Sequence, residues 1–352
     1  MRSMRRTLVA GFWLGLVAFA CSKASHADSV ADFYRGKTVH IFVGASAGGG
    51  YDLVARLIAS RIGAHIPGNP NVVVDNMPAA SGLAMANYLY NSAPRDGTSL
   101  GVPTNAMALE PRLKMLTRAG GTASFDITKF NWLGDAARQP QVLFVWHTAG
   151  IKTAEDLKTT KIVVAALSVG SDSFILPTVI NNMLGTKMQI VPGYEGHGDT
   201  FVAIERGEVQ GYNDSFAGLI GNKPDWIRDK LVYIPIQFGR ERLAALPDVP
   251  TAVELAPDLL DKEALLFYST KYDLAYTLVA TPDVPADRLA ALRDAFDATM
   301  QDADYIDNAK KIELPVNPLR ADAVTKIIDS VQVTPQNVID RMRELMIAKK
   351  AD

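Results

Sequence analysis

The segment Val39–Gly63 reads VHIFVGASAGGGYDLVARLIASRIG. An apolar strand-like run breaks into four glycines within seven positions and resumes with helical periodicity. A second apolar run, Val72-Val73-Val74, follows. Strand, glycine turn, helix and strand in that order predict a parallel βαβ unit, because a parallel partner strand is reached only through a crossover. Three uses of the glycine bend compete. Gly44-Ala45-Ser46-Ala47-Gly48 spells G-x-S-x-G, a hydrolase nucleophile elbow. Asp75 after the second strand imitates a dinucleotide fold. The third use is an anion cradle at a helix N-terminus.

The elbow of an α/β-hydrolase follows a mid-sheet strand, with acid and histidine later in the chain. Here it follows the first strand, and the later histidines, His65, His147 and His197, stand in no triad context. A secreted serine hydrolase built on Gly44–Gly48 is the alternative function. No Lys-Ser/Thr follows the glycines, and their spacing is not G-x-G-x-x-G, which argues against a nucleotide. The cradle needs only backbone: N–H groups backed by the helix dipole favour a carboxylate, and glycines admit it without a Cβ. The same glycines would also serve a plain strand–helix turn.

Arg2, Arg5 and Arg6 precede an uncharged stretch from Thr7 to Ala20, and Ser25-His26-Ala27 places small residues before Asp28. That order predicts a cleavable signal peptide, residues 1–27, and hence a periplasmic protein. Its removal takes away four basic residues and the single cysteine, Cys21, and shifts the net charge from −2 to −6. An acidic chain without disulfides argues against nucleic-acid binding.

Roughly 325 remaining residues suggest two domains. The first unit reads strand 38–43, helix 51–65, strand 71–75, helix 81–92 and strand 98–102. A second repeats the grammar with strand 161–166, helix 174–184, strand 188–191, helix 199–206 and strand 209–212. Pro285-Ala286-Asp287 and Thr334-Pro335 open helices in the tail. The expected division is 28–138 with 274–352 as domain 1 and 139–273 as domain 2.

The chain resembles the periplasmic receptors of tripartite tricarboxylate transporters, the Bug proteins. The family pattern P-P-G-G-x-x-D lines up with Ser46-Ala47-Gly48-Gly49-Gly50-Tyr51-Asp52. V-V-V-E-N-x-P-G-A-G-G appears as Val72-Val73-Val74-Asp75-Asn76-Met77-Pro78-Ala79-Ala80-Ser81-Gly82. P-D-G-Y-T-L becomes Pro94-Arg95-Asp96-Gly97-Thr98-Ser99-Leu100, and L-P-D-V-P-T recurs unchanged at Leu246–Thr251. Two departures alter the rim of the cradle: Ser46-Ala47 replaces the proline pair, and the glycine-rich run after Pro78 is thinned.

The resemblance implies an α/β fold of the two-domain periplasmic-binding-protein type (type II), with a ligand cleft between domains that closes by a hinge. It implies a monomeric solute receptor, not an enzyme, that passes a small organic carboxylate to membrane-embedded transporter subunits. No cofactor and no catalytic residue is expected. The first-domain contacts are Ser46, Ala47, Gly48, Gly49, Tyr51 and Asp52, with Thr104, Asn105 and Ala106 after the strand ending near Val102. The second domain offers Ser168, Gly170, Ser171 and Asp172, then Tyr194 as a cover, and Asp214 and Ser215, of which Asp214 matches a family aspartate. For each hydroxyl or acid the competing role is helix capping. Glu195, His197 and Asp199 have no metal-ligand spacing and read as a loop leading into a helix. The four loops Ser46–Asp52, Thr104–Ala106, Ser168–Ser173 and Asn213–Ser215 hold no Arg or Lys but three acids, Asp52, Asp172 and Asp214. The expectation is therefore a ligand with one buried carboxylate and a neutral or amine-bearing remainder, with Lys271 the base on offer to a second carboxylate.

Overall fold

The computed structural model describes residues 29–115 and 121–348. The expected leader 1–27, with Cys21 and the expected cleavage point, lies outside the described residues. The chain is mixed α/β and divides into two units. The first comprises the described part of Met1–Thr104 with Ala123–Gly134 and Thr277–Asn308; the second comprises Asn105–Thr122, Asp135–Tyr276 and Ala309–Asp352.

The first unit is built on β1 (Thr38–Val43), helix α1 (Gly50–His65), β2 (Asn71–Asn76), α2 (Leu83–Asn91) and β3 (Ser99–Val102), and β4 (Asn131–Asp135) belongs to the same sheet. In β1, Val39, Ile41 and Val43 are fully buried while the residues between them are not, the period-two signature of a strand. Val54, Ala55, Leu57, Ile58 and Ile62 form the buried stripe of α1. Strands β1, β2 and β3 are parallel, with β1 in the middle.

The second unit contains β5 (Gln141–Trp146), β6 (Ile162–Ala166), helix α3 (Asp172–Leu184), β7 (Met188–Pro192), α4 (His197–Glu205), β8 (Gly211–Ser215), α5 (Phe216–Asn222) and β9 (Val232–Phe238). Its sheet runs β7-β6-β8-β5-β9. Strands β7, β6 and β8 are parallel; β5 is antiparallel to β8 and β9. One face packs an aromatic cluster of Phe144, Phe201, Tyr212 and Trp226. The other face carries α6 (Leu259–Asp273), and α8 (Ala321–Gln332) and α9 (Gln336–Leu345) join the same apolar cluster. In the first unit β10 (Thr277–Ala280) lies antiparallel to β3, and α7 (Ala286–Gln301) follows it.

The division differs from the expected one in two segments, and side chains give the reason. Leu109 and Leu113 sit in the second unit's core, as do Val331, Val338, Ile339, Met342 and Leu345 of the tail. Arg112 donates to the carbonyls of Gln332 and Thr334, and Arg341 Nε reaches Asp261 Oδ1 at 2.6 Å. Burial of those apolar groups holds 105–122 and the last helices to α6, whatever their place in the chain.

Candidate functional site

In the first unit the three parallel strands end level, with Val43 beside Asn76 and Val102. The chain leaving β1 is tied to both neighbours. Gly44 N–H donates to the Val102 carbonyl at 3.0 Å, and Met77 N–H donates to the Val43 carbonyl at 2.8 Å. Gly44 also packs backbone to backbone on Gly82: a Cβ on Gly44 would stand 3.2 Å from the Gly82 Cα. The first glycine of the G-x-S-x-G string is thus a packing residue. Ser46 is exposed, and the histidines of this unit are engaged elsewhere, His40 with Asp75 and His65 with Asp302, each at 2.8 Å.

Gly48 takes φ +81°, a left-handed conformation that side chains disfavour, whereas Gly49, the N-cap of α1, is extended at φ −78° and ψ 169°. Asp52 is buried and clamps this bend. Its Oδ2 accepts from Gly48 N–H at 2.8 Å and from Arg56 Nε at 2.9 Å; its Oδ1 accepts from Asn76 Nδ2 at 2.9 Å. The Arg56 hydrogen bond, with those from Gly48 and Asn76, outweighs burial and lowers the carboxyl pKa to about 2. Asp52 shapes the loop with both oxygens. Gly49 N–H is directed to the Ser46 carbonyl at 3.4 Å, and Ala47, Gly48, Gly49 and Gly50 are all exposed.

The second unit repeats the plan. Ala166 of β6 is level with Pro192 of β7, and Ala165 is paired with Tyr212 of β8. Loops 167–171, 193–196 and the end of β8 therefore leave the same edge, the carboxyl edge where α/β sheets bind ligands. Ser171 Oγ donates to Ser168 O at 2.7 Å, accepts from Ser168 N–H at 3.2 Å and meets Ser173 Oγ at 2.7 Å. One donor and two acceptor sites are all its hydroxyl has, so Ser171 closes its own loop. Ser168 and Gly170 stay exposed on that loop, and Tyr194 is half-buried against the aromatic cluster. Ser215 Oγ caps α5, accepting from Gly218 N–H at 3.0 Å.

The three acids that make the site look negative in sequence are paired in space. Arg56 lies 2.9 Å from Asp52, Lys271 Nζ lies 2.9 Å from Asp172, and His197 Nδ1 lies 2.8 Å from Asp214. Lys271 is itself buried, with Asp172 also taking the Tyr268 hydroxyl at 2.7 Å. It is a structural counter-ion and not a base on offer to a ligand. A singly charged ligand is therefore not required, because Asp52, Asp172 and Asp214 each have a basic side chain within 3 Å.

The bare tripeptide Thr104-Asn105-Ala106 is split: Thr104 closes a segment of the first unit, bonded to the Ser81 carbonyl at 3.3 Å, and Asn105 opens one of the second. Asn105 and Ala106, half-buried, start a short 3-10 turn. Asp214 and Ser215 lie inside β8, not after it, because β5 pairs Val142 with Asp214 and Gln141 with Ser215. Two residues add to the expected set. His197, expected in a loop, is the first residue of α4, and its signal, an acid seventeen residues on, is not a local pattern. Asn213 is 2% exposed, and among the described residues neither its amide nitrogen nor its oxygen finds a partner. Among the described residues no three His, Cys, Asp or Glu side chains gather as a metal ion requires.

Residues 54–343 match the model of a family described as tripartite tricarboxylate transporter family receptor, TctC. The chain is 28% identical over 282 residues to the UPF0065 protein in the TAR-I ttuE-ttuC' intergenic region of Agrobacterium vitis, covering 77% of this chain and 73% of that one. Its fold is similar to that of a TctC solute binding protein from Polaromonas, with TM-score 0.66 and 17% identity over 88% of this chain and 99% of that one. It is also similar to MatC from Rhodopseudomonas palustris with bound malate, with TM-score 0.55 and 22% identity over 88% of this chain and 99% of that one.

Proposed function

Because the chain belongs to the tripartite tricarboxylate transporter receptor family, we propose that it captures a small organic carboxylate in the periplasm and presents it to the membrane-embedded subunits of such a transporter. It does this as an exported monomer, by binding alone and without a cofactor. The observation that carries the reading is the construction of the carboxyl edges. In each unit three parallel strands run out at one edge into small-residue loops, with a helix N-terminus beside them and Asp52, Asp172 and Asp214 each set against a basic side chain. Such an edge offers backbone N–H groups and a positive helix end to a carboxylate without repelling it. Malate in MatC is a ligand of that chemistry. The contacts we assign are Ala47 to Tyr51 on the first unit, and Ser168, Gly170, Tyr194 and Asp214 on the second.

Gly49→Val tests the reading. Gly49 has an extended backbone, and a Cβ there would meet only the Ser46 carbonyl, at 3.4 Å. Folding should therefore tolerate the change while the valine stands where a ligand must approach the main chain. A thermal-shift screen of mono-, di- and tricarboxylates and amino acids identifies the probe, since a ligand at 100 times its Kd adds about 2.7 kcal/mol to stability. Calorimetry on the variant should then show binding weakened at least about tenfold at unchanged Tm. Wild-type affinity in Gly49→Val would remove the carboxylate from this loop.

A further inference from the structure

The L-P-D-V-P-T string at Leu246–Thr251 takes no part in the contacts assigned above, yet the second unit pins it closely. Gln237 of β9 is the clamp. Its Nε2 donates to the carbonyls of Leu246 at 3.0 Å and Val249 at 2.6 Å, and its Oε1 accepts from Leu243 N–H at 2.7 Å. Its own N–H donates to the Pro250 carbonyl at 3.1 Å. Arg242 Nη1 donates to the Pro247 carbonyl at 2.7 Å, and Glu254 accepts from Thr251 N–H at 2.8 Å. With these backbone groups engaged, Leu246, Val249 and Pro250 line a groove of about 640 Å³ together with Ile227 and the β9 segment 232–235. β9 is the edge strand of its sheet. Ser215 of β8 and Phe238 of β9 both lie opposite Gln141, whereas Val232 lies opposite Trp146 at the other end of β5. The groove thus reaches toward the edge opposite the carboxylate loops.

The rim of the groove carries Lys152, Glu155, Lys230 and Asp248, all exposed. Glu155 is held by Lys158 at 2.8 Å, and Asp248 lies in the field of Arg242. Among the described residues neither Lys152 nor Lys230 makes an ion pair. Asp156 acts on Lys152 only through space, its carboxylate being engaged by the N–H groups of Lys152 and Thr153 and by the Thr153 hydroxyl. The Lys152 ammonium stands over the Tyr233 ring, 5.5 Å from its centre.

We propose that this groove docks an extended segment of a partner protein in which a short apolar run is flanked by acids. The apolar run buries itself against Ile227, Val249 and the edge of β9, and the acids meet the two lysines at the rim. Pro235 has no N–H to offer and blunts β9 as a template for strand addition, so recognition rests on side chains. The clamped string supplies a rigid wall, which reduces the ordering that binding has to impose. The inference is independent of the carboxylate reading: every lining residue belongs to the second unit, and none is among the contacts assigned to the ligand.

The probes are three labelled, end-capped peptides that share a valine-leucine core and differ in its flanks, which are glutamate, serine or lysine. Fluorescence polarisation against the chain should show the glutamate peptide binding at least about tenfold tighter than the serine peptide and the lysine peptide weakest. Raising the salt from about 0.05 to about 0.5 M should remove most of the difference. Lys152→Glu combined with Lys230→Glu, both at exposed positions, should reverse the order of the glutamate and lysine peptides. Ile227→Asp, also exposed, should weaken all three at unchanged Tm. Equal affinity for the glutamate and serine peptides overturns the proposal, as does an order that survives the double reversal. A concentration-dependent dimer that Ile227→Asp dissolves would assign the groove to a second copy of the chain and overturn it. Octanoate binding that both variants abolish, with no peptide bound, would assign it to a small amphiphile and overturn it as well.

Discussion

Gly82 lies so close to Gly44 that a Cβ on Gly82 would stand 2.7 Å from the Gly44 carbonyl oxygen. Gly82 also takes φ +91°, so a side chain there meets strain in its own backbone as well as a neighbour that cannot move. The contact joins the loop after β1 to the start of α2, and the cradle geometry depends on it. Gly82→Ala should cost about 2–4 kcal/mol of stability, read as a lower urea midpoint at constant m. A midpoint within experimental error of wild type would show that the two loops can separate without consequence.

Ser81 precedes it at φ +55°, where the family pattern carries glycine. A non-glycine residue in that region is disfavoured by about 1 kcal/mol. Ser81→Gly should therefore stabilise the chain by up to about 0.5 kcal/mol, because native strain is relieved by slightly more than the unfolded chain gains in freedom. Thermal unfolding of the two forms at one pH is the check. A lower Tm for the glycine variant would mean the serine side chain earns its place through contacts.

Asp52 sets the acid behaviour of the first cradle. Its folded pKa, about 2, lies below the ordinary aspartate value, so the folded state binds its proton less readily than the unfolded chain does. The stability it contributes is complete above pH 4 and is lost as pH falls through about 2. Because Arg56 is half exposed, the expected size is on the order of 1 kcal/mol. Asp52→Asn should flatten the stability profile in that window and lower stability at pH 7. A profile unchanged between pH 4 and 2 would mean the carboxylate is not held as the Gly48, Arg56 and Asn76 bonds require.

Buried Lys271 and partly buried Asp172 form an ion pair beneath the second unit's loop. Lys271→Met would leave the carboxylate with the Tyr268 hydroxyl alone, and should cost about 2–4 kcal/mol. Asp172→Asn combined with Lys271→Met should recover more than half of that loss, since both charges then leave together. Denaturant unfolding of the two single variants and the double gives the coupling energy. Strict additivity would show that the pair, 2.9 Å apart, does not interact.

The sequence by itself determined the local grammar. Alternation in β1, the apolar stripe of α1 and the glycines between them are properties of neighbouring residues, and Thr38–Val43 and Gly50–His65 fall within a residue or so of their expected places. It determined the family too, because the glycine, proline and Asp-Gly strings are local backbone signals that keep their order along the chain even where Ser81 stands for a glycine. Strands β5 and β9 went unread: Gln141–Trp146 and Val232–Phe238 are short apolar runs whose period does not separate strand from buried helix. Only the tertiary structure decided the electrostatics of the site. Asp172 and Lys271 are 99 residues apart in the chain, and Asp214 receives its counter-charge from the start of a different element. Coulomb energy depends on distance in space and on the dielectric around the pair, and neither is written into local sequence. Tertiary packing likewise drew 105–122 and the last helices onto α6, because buried apolar area is indifferent to chain order.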